Sequence, residues 1–154
     1  MTDEKKTIVI FDIDGTVADI RHRRHLVREK PKDWPRFFRE AVNDTVNEHV
    51  KAMFVLLSCQ PNFELYFVSG RPENNRALTE EWLKENGMGN YQALYMRGAK
   101  DSRSDDIVKR EIYDQYFAQR ADRILCVFDD RPKVIRMWRG LGLPVFDCGD
   151  GVEF

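Results

Sequence analysis

Five short apolar runs punctuate this chain, at Thr7–Phe11, Glu64–Val68, Ala93–Met96, Ile124–Phe128 and Val145–Asp147. Runs of this length and continuity read as strands buried on both faces, the pattern of parallel sheets. Parallel strands cannot be joined by tight turns and need crossover segments. The intervals supply them. Val50, Phe54 and Leu57 form one helical stripe. Leu78, Trp82 and Leu83 form a second, with Gly87 as its stop. Ile107, Val108, Ile112 and Tyr116 form a third behind Ser104, an N-cap residue type. Val134, Met137, Trp138 and Leu141 lie between Pro132, tolerated in a first turn, and Gly142. The expected fold is α/β: a three-layer, doubly wound, Rossmann-like parallel sheet of about five strands with helices on both faces. The 154 residues suit one domain, 1–154, with no internal repeat and no linker. Residues 21–46 are too many for a simple connection. They read as a small helical flap after the first strand, with Asp33 as a cap and Pro35 in the first turn of "KPKDWPRFF".

Bulk properties exclude little beyond the extremes. Hydrophobic residues make up 42% and charged residues 33%, a globular balance. No apolar run approaches the roughly 20 residues needed to span a bilayer. The N-terminal "MTDEKK" precedes no apolar region of signal-peptide length. Cys59, Cys126 and Cys148 form no CxxC, so core packing and reduced thiols in the cytoplasm are expected. The net charge of −1 is unevenly spread. Eight basic residues between Ala18 and Ala41 (Arg21, Arg23, Arg24, Arg28, Lys30, Lys32, Arg36 and Arg39) face four acids, Asp19, Glu29, Asp33 and Glu40. Such a segment attracts phosphate-rich ligands or forms a solvated surface.

In a doubly wound sheet, ligands bind outside the carboxyl ends of the strands. Whatever follows each strand therefore converges. The first strand is followed by Asp12 and Asp14, the second by Ser69, Gly70 and Arg71, and the fourth by Asp129, Asp130 and Arg131. The third leads through "RGAKDSRSDDIVK" to Asp105 and Lys109 at a helix start. Acids this close repel one another unless a cation lies among them. All-oxygen ligands favour magnesium over zinc. One carboxylate can then attack phosphorus. A second can donate a proton to the leaving oxygen and later take one from water. Cations neutralise the transferring phosphoryl oxygens. The spacing of two sends Asp12 toward the metal and brings Asp14 around the turn as the acid, with Gly15 permitting the tight backbone.

"FDIDGT" resembles the signature motif of the haloacid dehalogenase superfamily of phosphotransferases, "VSGR" its second motif, Lys109 its third and "FDD" its fourth. "FDIDGTVADI", "VSGR", "SRSDDIVKREI" and "FDDRPKVIRMWRGLG" together resemble the 3′-phosphatase domain of bacteriophage polynucleotide kinase-phosphatase. The resemblance implies an aspartyl-phosphate on Asp12 and general acid-base catalysis by Asp14. It places substrate or phosphate contacts on Thr16, Arg23, Ser69, Gly70, Arg71 and Asp105, with Lys109 catalytic. It implies Mg2+ held by the Asp12 carboxylate, the Asp14 carbonyl and one of Asp129 or Asp130, without deciding which of that pair binds directly. No GxxxxGK[ST] loop is present, so no kinase domain is expected.

The expected activity is removal of 3′-phosphates from nucleic-acid ends, with free nucleotides as the alternative substrate. Dehalogenation needs no acid at position 14, and a non-catalytic binding module needs no intact acid set. Arg131 reads as a surface residue, and His22 and His25 as exposed flap residues. Trp82 and Trp138 match helix stripes and belong to the core. Trp34 is the tryptophan placed to stack on a base.

Overall fold

The computed structural model describes residues 4–154. Strand β1 (Thr7–Phe11) sits at the centre. After it come β2 (Ala18–Asp19), α1 (His25–Arg28), α2 (Trp34–Arg39) and β3 (Thr45–Val46). The rest alternates: α3 (Glu48–Ser58), β4 (Phe63–Pro72), α4 (Arg76–Glu85), β5 (Ala93–Arg97), α5 (Asp105–Tyr116), β6 (Ile124–Asp129), α6 (Pro132–Gly140) and β7 (Val145–Asp147). The main sheet has five strands in the order β5-β4-β1-β6-β7, and all its pairings are parallel. The expected α/β class, strand number and winding are those observed.

Alternation along β1 explains why its run is continuously apolar. Val9 and Phe11 face one layer, with Phe54 of α3 and Trp82 and Leu83 of α4. Ile8 and Ile10 face the other, with Val108 and Ile112 of α5 and Trp138 of α6. Successive residues point to opposite faces, and both faces are covered. Phe11 stacks on Phe128 at 4.5 Å and meets Phe54 edge-on at 5.1 Å, which ties β1 to β6 and α3. The strand order reverses direction at β1, so the crevice for a ligand opens at its carboxyl end.

Residues 21–46 carry two short helices and a 3-10 turn, Glu40–Asn43. Their base is closed by an antiparallel ribbon of β2 and β3, pairing Ala18 with Val46 and Asp19 with Thr45. Asp33 caps α2 by accepting from the Arg36 N–H at 3.1 Å, and Pro35 lies in its first turn. Ile20, Leu26, Val27 and Phe37 form a separate small core under this flap.

Three local expectations need correction. Ser104 stands at the N-cap of α5, but its hydroxyl donates to the Asp106 carboxylate and caps no backbone N–H. On the same helix Ile107 and Tyr116 are exposed, and Tyr113 fills the buried position instead. The buried stripe of this helix runs through Val108, Lys109, Ile112 and Tyr113, and at 100° per residue Ile107 falls on the side opposite its centre. Of the cysteines, Cys126 lies in the core while Cys59 is exposed, and all are free thiols. Among the described residues, no helix is long and apolar enough to cross a membrane.

Candidate active site

The chain leaves β1 at Phe11 and turns at once. The Asp12 N–H donates to the Phe128 carbonyl at 2.9 Å, which holds the turn against β6. Gly15 takes φ +81°, a conformation that disfavours any Cβ. A Cβ there would also lie 1.9 Å from Asp130 Oδ2. The glycine thus lets the first loop close onto the end of β6.

Asp12 is buried. Its Oδ1 accepts from Lys109 Nζ at 2.8 Å and its Oδ2 from the Thr16 hydroxyl at 3.0 Å. Lys109 Nζ also reaches Asp129 Oδ2 at 2.9 Å. One carboxylate oxygen from each of Asp12, Asp129 and Asp130 lies within 4.8 Å of the others. Burial, and then the charge of Asp129, push the Asp12 carboxyl up to about 7. Burial and the charges of Asp12 and Asp129 hold Asp130 well above the usual carboxylate range. Burial works against the Lys109 ammonium, but Asp12 and Asp129 outweigh it and keep the lysine charged. One ammonium among three crowded carboxylates leaves an all-oxygen, electron-rich pocket. That donor set fits a hard divalent cation.

Asp129 and Asp130 differ in remaining capacity. Asp129 Oδ2 takes Lys109 and the Trp138 indole N–H at 3.1 Å, and its Oδ1 takes the backbone N–H of Asp130 at 2.9 Å and of Arg131 at 3.3 Å. Among the described residues, Asp130 accepts only a 3.5 Å contact from the Thr16 hydroxyl.

Asp14, two residues on, has the opposite environment. Arg23 Nη2 lies 2.5 Å and Arg71 Nη2 2.7 Å from its Oδ1. Burial alone would raise its pKa, but the two guanidiniums outweigh burial and hold the carboxyl well below the usual range. Both arginine side chains are fully buried. Arg71 also donates to the Thr79 hydroxyl at 3.1 Å, and Arg23 to the Phe37 carbonyl at 3.0 Å.

Asp44, which the sequence reading did not single out, closes this network. Its carboxylate accepts from Arg23 Nε at 2.8 Å and Nη2 at 2.6 Å, and from Arg71 Nη2 at 3.3 Å. A His22 ring nitrogen lies 2.6 Å from its Oδ1. Charges therefore alternate around a closed ring of Asp14, Arg23, Asp44 and Arg71. Two buried guanidiniums need more than one carboxylate, but their burial is visible only in the structure, so the sequence held no signal for Asp44.

The remaining expected residues form a rim. Ser69 is buried and its Oγ accepts from the Arg71 N–H at 3.1 Å. Gly70 has no room for a side chain, since a Cβ would lie 2.5 Å from Asp105 Oδ1. Asp105 pairs with Arg131 Nη1 at 2.8 Å and with Arg97. Arg97 donates back to the Gly70 carbonyl at 2.8 Å, fastening β5 to the end of β4. Arg131 is thus largely buried, contrary to the surface position expected, while His22 is exposed as expected and also meets Asp44. Arg97 was missed, although it ends a strand at the same sheet edge. A cleft of about 1010 Å³ joins these groups, reaching from Asp12 and Asp129 past Gly70 to Phe37, Trp34 and Lys32.

A Rossmann-like sheet with a DxDGT turn, a buried lysine and paired acids at its carboxyl edge defines a haloacid dehalogenase-type phosphatase, a phosphoric monoester hydrolase. Within that class, residues 6–153 match the family model "Polynucleotide kinase PNKP phosphatase domain", and the chain belongs to that family. A protein of Autographa californica nuclear polyhedrosis virus assigned as a bifunctional polynucleotide kinase/RNA ligase is 29% identical over 148 residues. That match covers 95% of this chain and 20% of the viral protein. A chain of the Pnkp1/Rnl/Hen1 complex superposes with a TM-score of 0.76 at 29% identity, covering 99% of this chain and 48% of that one. A protein assigned as a phosphatase from Clostridium difficile shares the fold, with a TM-score of 0.65 at 16% identity over 99% of this chain and 89% of its own. The chain thus spans a fifth of the viral relative and about half of the chain in the complex.

Proposed function

We propose that this protein is a magnesium-dependent polynucleotide 3′-phosphatase that works through an aspartyl-phosphate on Asp12. The observation that carries the reading is the opposed setting of two aspartates in one cleft. Asp12 lies against Lys109 beside Asp129 and Asp130, while Asp14 lies between two buried arginines. Membership of the family and the cationic flap support nucleic-acid ends as substrate. Resemblance to a chain of an RNA repair complex points the same way.

Asp12 Oδ attacks phosphorus, and the bond from phosphorus to the ester oxygen breaks. Lys109 shields the attacking carboxylate and a phosphoryl oxygen at once. Asp14 gives its proton to the leaving 3′ oxygen. Water then attacks the phosphorus of the aspartyl-phosphate, Asp14 takes the water's proton, and the bond to Asp12 breaks to release phosphate. The pairing of Asp14 with Arg23 and Arg71 suits the second half-reaction, which needs an ionised base. The first half needs Asp14 protonated. A phosphate dianion competing for the arginines loosens their hold on Asp14 and lets its pKa rise.

Asp12, Asp130 and the Asp14 carbonyl would hold the cation, with Asp129 occupied by Lys109 and backbone N–H groups. When bound, magnesium neutralises phosphoryl charge and lowers the repulsion between nucleophile and substrate.

A substrate panel with magnesium tests the reading: 3′-phospho-DNA, 3′-phospho-RNA, 2′,3′-cyclic ends, and 3′- and 5′-mononucleotides. The expected result is turnover of 3′-phosphorylated strands in preference to mononucleotides. Preference for mononucleotides makes the protein a nucleotidase and overturns the proposal. Acid quenching with a 32P-labelled strand end should leave label on the wild-type protein and none on Asp12→Asn.

A further inference from the structure

Resting on the reading of nucleic-acid ends as substrate, we propose that the flap lip is a strand-binding surface. Trp34 stacks a nucleobase there, and Arg28, Lys30 and Lys32 take the phosphodiesters of a single strand whose 3′-phosphate lies at Asp12.

The three described tryptophans divide cleanly. Trp82 donates its indole N–H to the Asp44 carbonyl at 3.0 Å, and Trp138 donates to Asp129 at 3.1 Å. Both are core residues. Trp34 is half-buried, lines the cleft, and its indole N–H meets no acceptor among the described residues. Its ring is braced edge-on by Phe37 at 5.6 Å and nearly parallel to Phe38 at 5.9 Å. A rigid aromatic with support behind it loses little freedom on stacking.

The cations around Trp34 are set apart by lining the cleft without an acidic partner; Arg39 also has no acidic partner among the described residues but does not line the cleft. Arg21 pairs with Asp19, Arg24 with Asp150 and Arg36 with Glu40. Arg28, Lys30 and Lys32 are exposed, line the cleft, and have no acidic partner among the described residues. Lys32 Nζ sits 5.6 Å from the Trp34 ring. Unneutralised cations beside an available aromatic match what single-stranded nucleic acid requires: charge for the backbone and a π-face for the bases.

Position follows from the packing. The Arg23 guanidinium that holds Asp14 lies 4.1 Å over the Phe37 ring, and Phe37 in turn braces Trp34. Trp34 is therefore two side chains out from the general acid. That offset suits the strand behind a terminal phosphate and is wasted on the phosphate itself. The cleft volume of about 1010 Å³ far exceeds what a phosphate fills and reaches the upper end of small-ligand sites, on the order of 300–1,000 Å³.

The test compares kcat/KM on a 3′-phosphorylated tetranucleotide with kcat/KM on p-nitrophenyl phosphate, which has neither base nor phosphodiester. Trp34→Ala should lower the ratio roughly 5- to 150-fold, and Trp34→Phe should keep most of it. Lys30→Ala/Lys32→Ala should flatten the dependence of log KM on log salt for the tetranucleotide by about 0.7 per lost phosphate contact. A flap that merely loses its packing slows both substrates together and leaves the ratio unchanged. That result, or an unaltered salt slope in the double variant, overturns the proposal. Wild-type protein that turns over p-nitrophenyl phosphate but no strand end removes the nucleic-acid reading instead.

Discussion

Lys109 and Asp12, 97 residues apart in the chain, meet at 2.8 Å with both side chains almost fully buried. The lysine answers the combined charge of Asp12 and Asp129, so removing it does two things. It strips a cation from the attacking face, and it leaves carboxylates buried together. Lys109→Ala should lower kcat by about 10²- to 10³-fold, the scale for losing one donor to a developing charge. It should also destabilise by about 3–5 kcal/mol, the scale for breaking a buried pair. At roughly 2–4 °C per kcal/mol for a chain of this size, thermal melting should register a clear fall in Tm. Added magnesium should recover part of that fall, because a second cation then shares the pocket.

The raised pKa of Asp12 makes a pH prediction with a definite sign. Its carboxyl titrates near 3.8 in the unfolded chain and about 7 in the folded one. The folded state therefore binds the proton more tightly. The favourable contribution is complete below pH 3.8 and is lost as pH rises to about 7. Asp130 acts in the same direction. Asp14 is depressed, so its contribution is present above its unfolded value and is lost only in acid. Metal-free protein should thus gain Tm on moving from pH 8 to pH 5. Asp12→Asn should shrink that gain, and saturating magnesium should abolish it by favouring the ionised carboxylates. The same variant should have no measurable turnover while remaining folded, and Asp14→Asn nearly none.

Asp44 touches no reacting atom, yet it fixes both arginines that hold Asp14. Removing it leaves two buried guanidiniums sharing one carboxylate. Asp44→Ala should destabilise by about 3–5 kcal/mol, read by chemical denaturation. Asp44→Asn keeps the volume and one acceptor, so it should stay folded. With one anion fewer, Arg23 and Arg71 act more strongly on Asp14 and hold its proton affinity lower still. The expected readout is an acid limb of the kcat–pH profile displaced to lower pH in Asp44→Asn. An unmoved profile would show that the ring does not tune Asp14.

Much of this was legible because each strand of the main sheet carries a run of apolar residues, continuous and buried on both faces in β1, so the runs stand out. The rule that sites gather at strand ends then brought Asp12, Asp14, Ser69, Arg71, Asp129 and Lys109 together. What escaped lacked a local pattern. The β2–β3 ribbon is two residues per strand, too short for any period to register. Asp44 is paired with residues 21 and 27 positions away in sequence. Nothing in its immediate neighbours marks it as different from the other flap acids. Arg97 and Arg131 look like surface residues in sequence; the shared Asp105 carboxylate draws both inward, with the Gly70 carbonyl holding Arg97 and the Phe154 ring covering Arg131. Tyr116 was placed in the core by its spacing. In the structure it stacks on Tyr95 at 4.0 Å from an exposed position, while Tyr113 takes the interior.

Gly15 offers the sharpest separation of site geometry from general stability. Its φ of +81° would strain an alanine, at a cost of about 1–2 kcal/mol. The larger effect is steric: a Cβ would stand 1.9 Å from Asp130 Oδ2, inside the carboxylate proposed to bind the cation. Either the loop or Asp130 must shift, and both carry proposed metal ligands. Gly140, the last residue of α6, is the matched control: a Cβ there would meet nothing within 4 Å, and its φ is not positive. Gly140→Ala should raise stability by up to about 1 kcal/mol through helix propensity alone. Gly15→Ala should lower it modestly and, more tellingly, shift the magnesium concentration for half-maximal turnover upward by about 10- to 100-fold. The two measurements are the magnesium dependence of kcat and the magnesium-induced rise in Tm. If Gly15→Ala kept the wild-type value in both, Asp130 would not be a ligand, and the division of labour between Asp129 and Asp130 would have to be reversed.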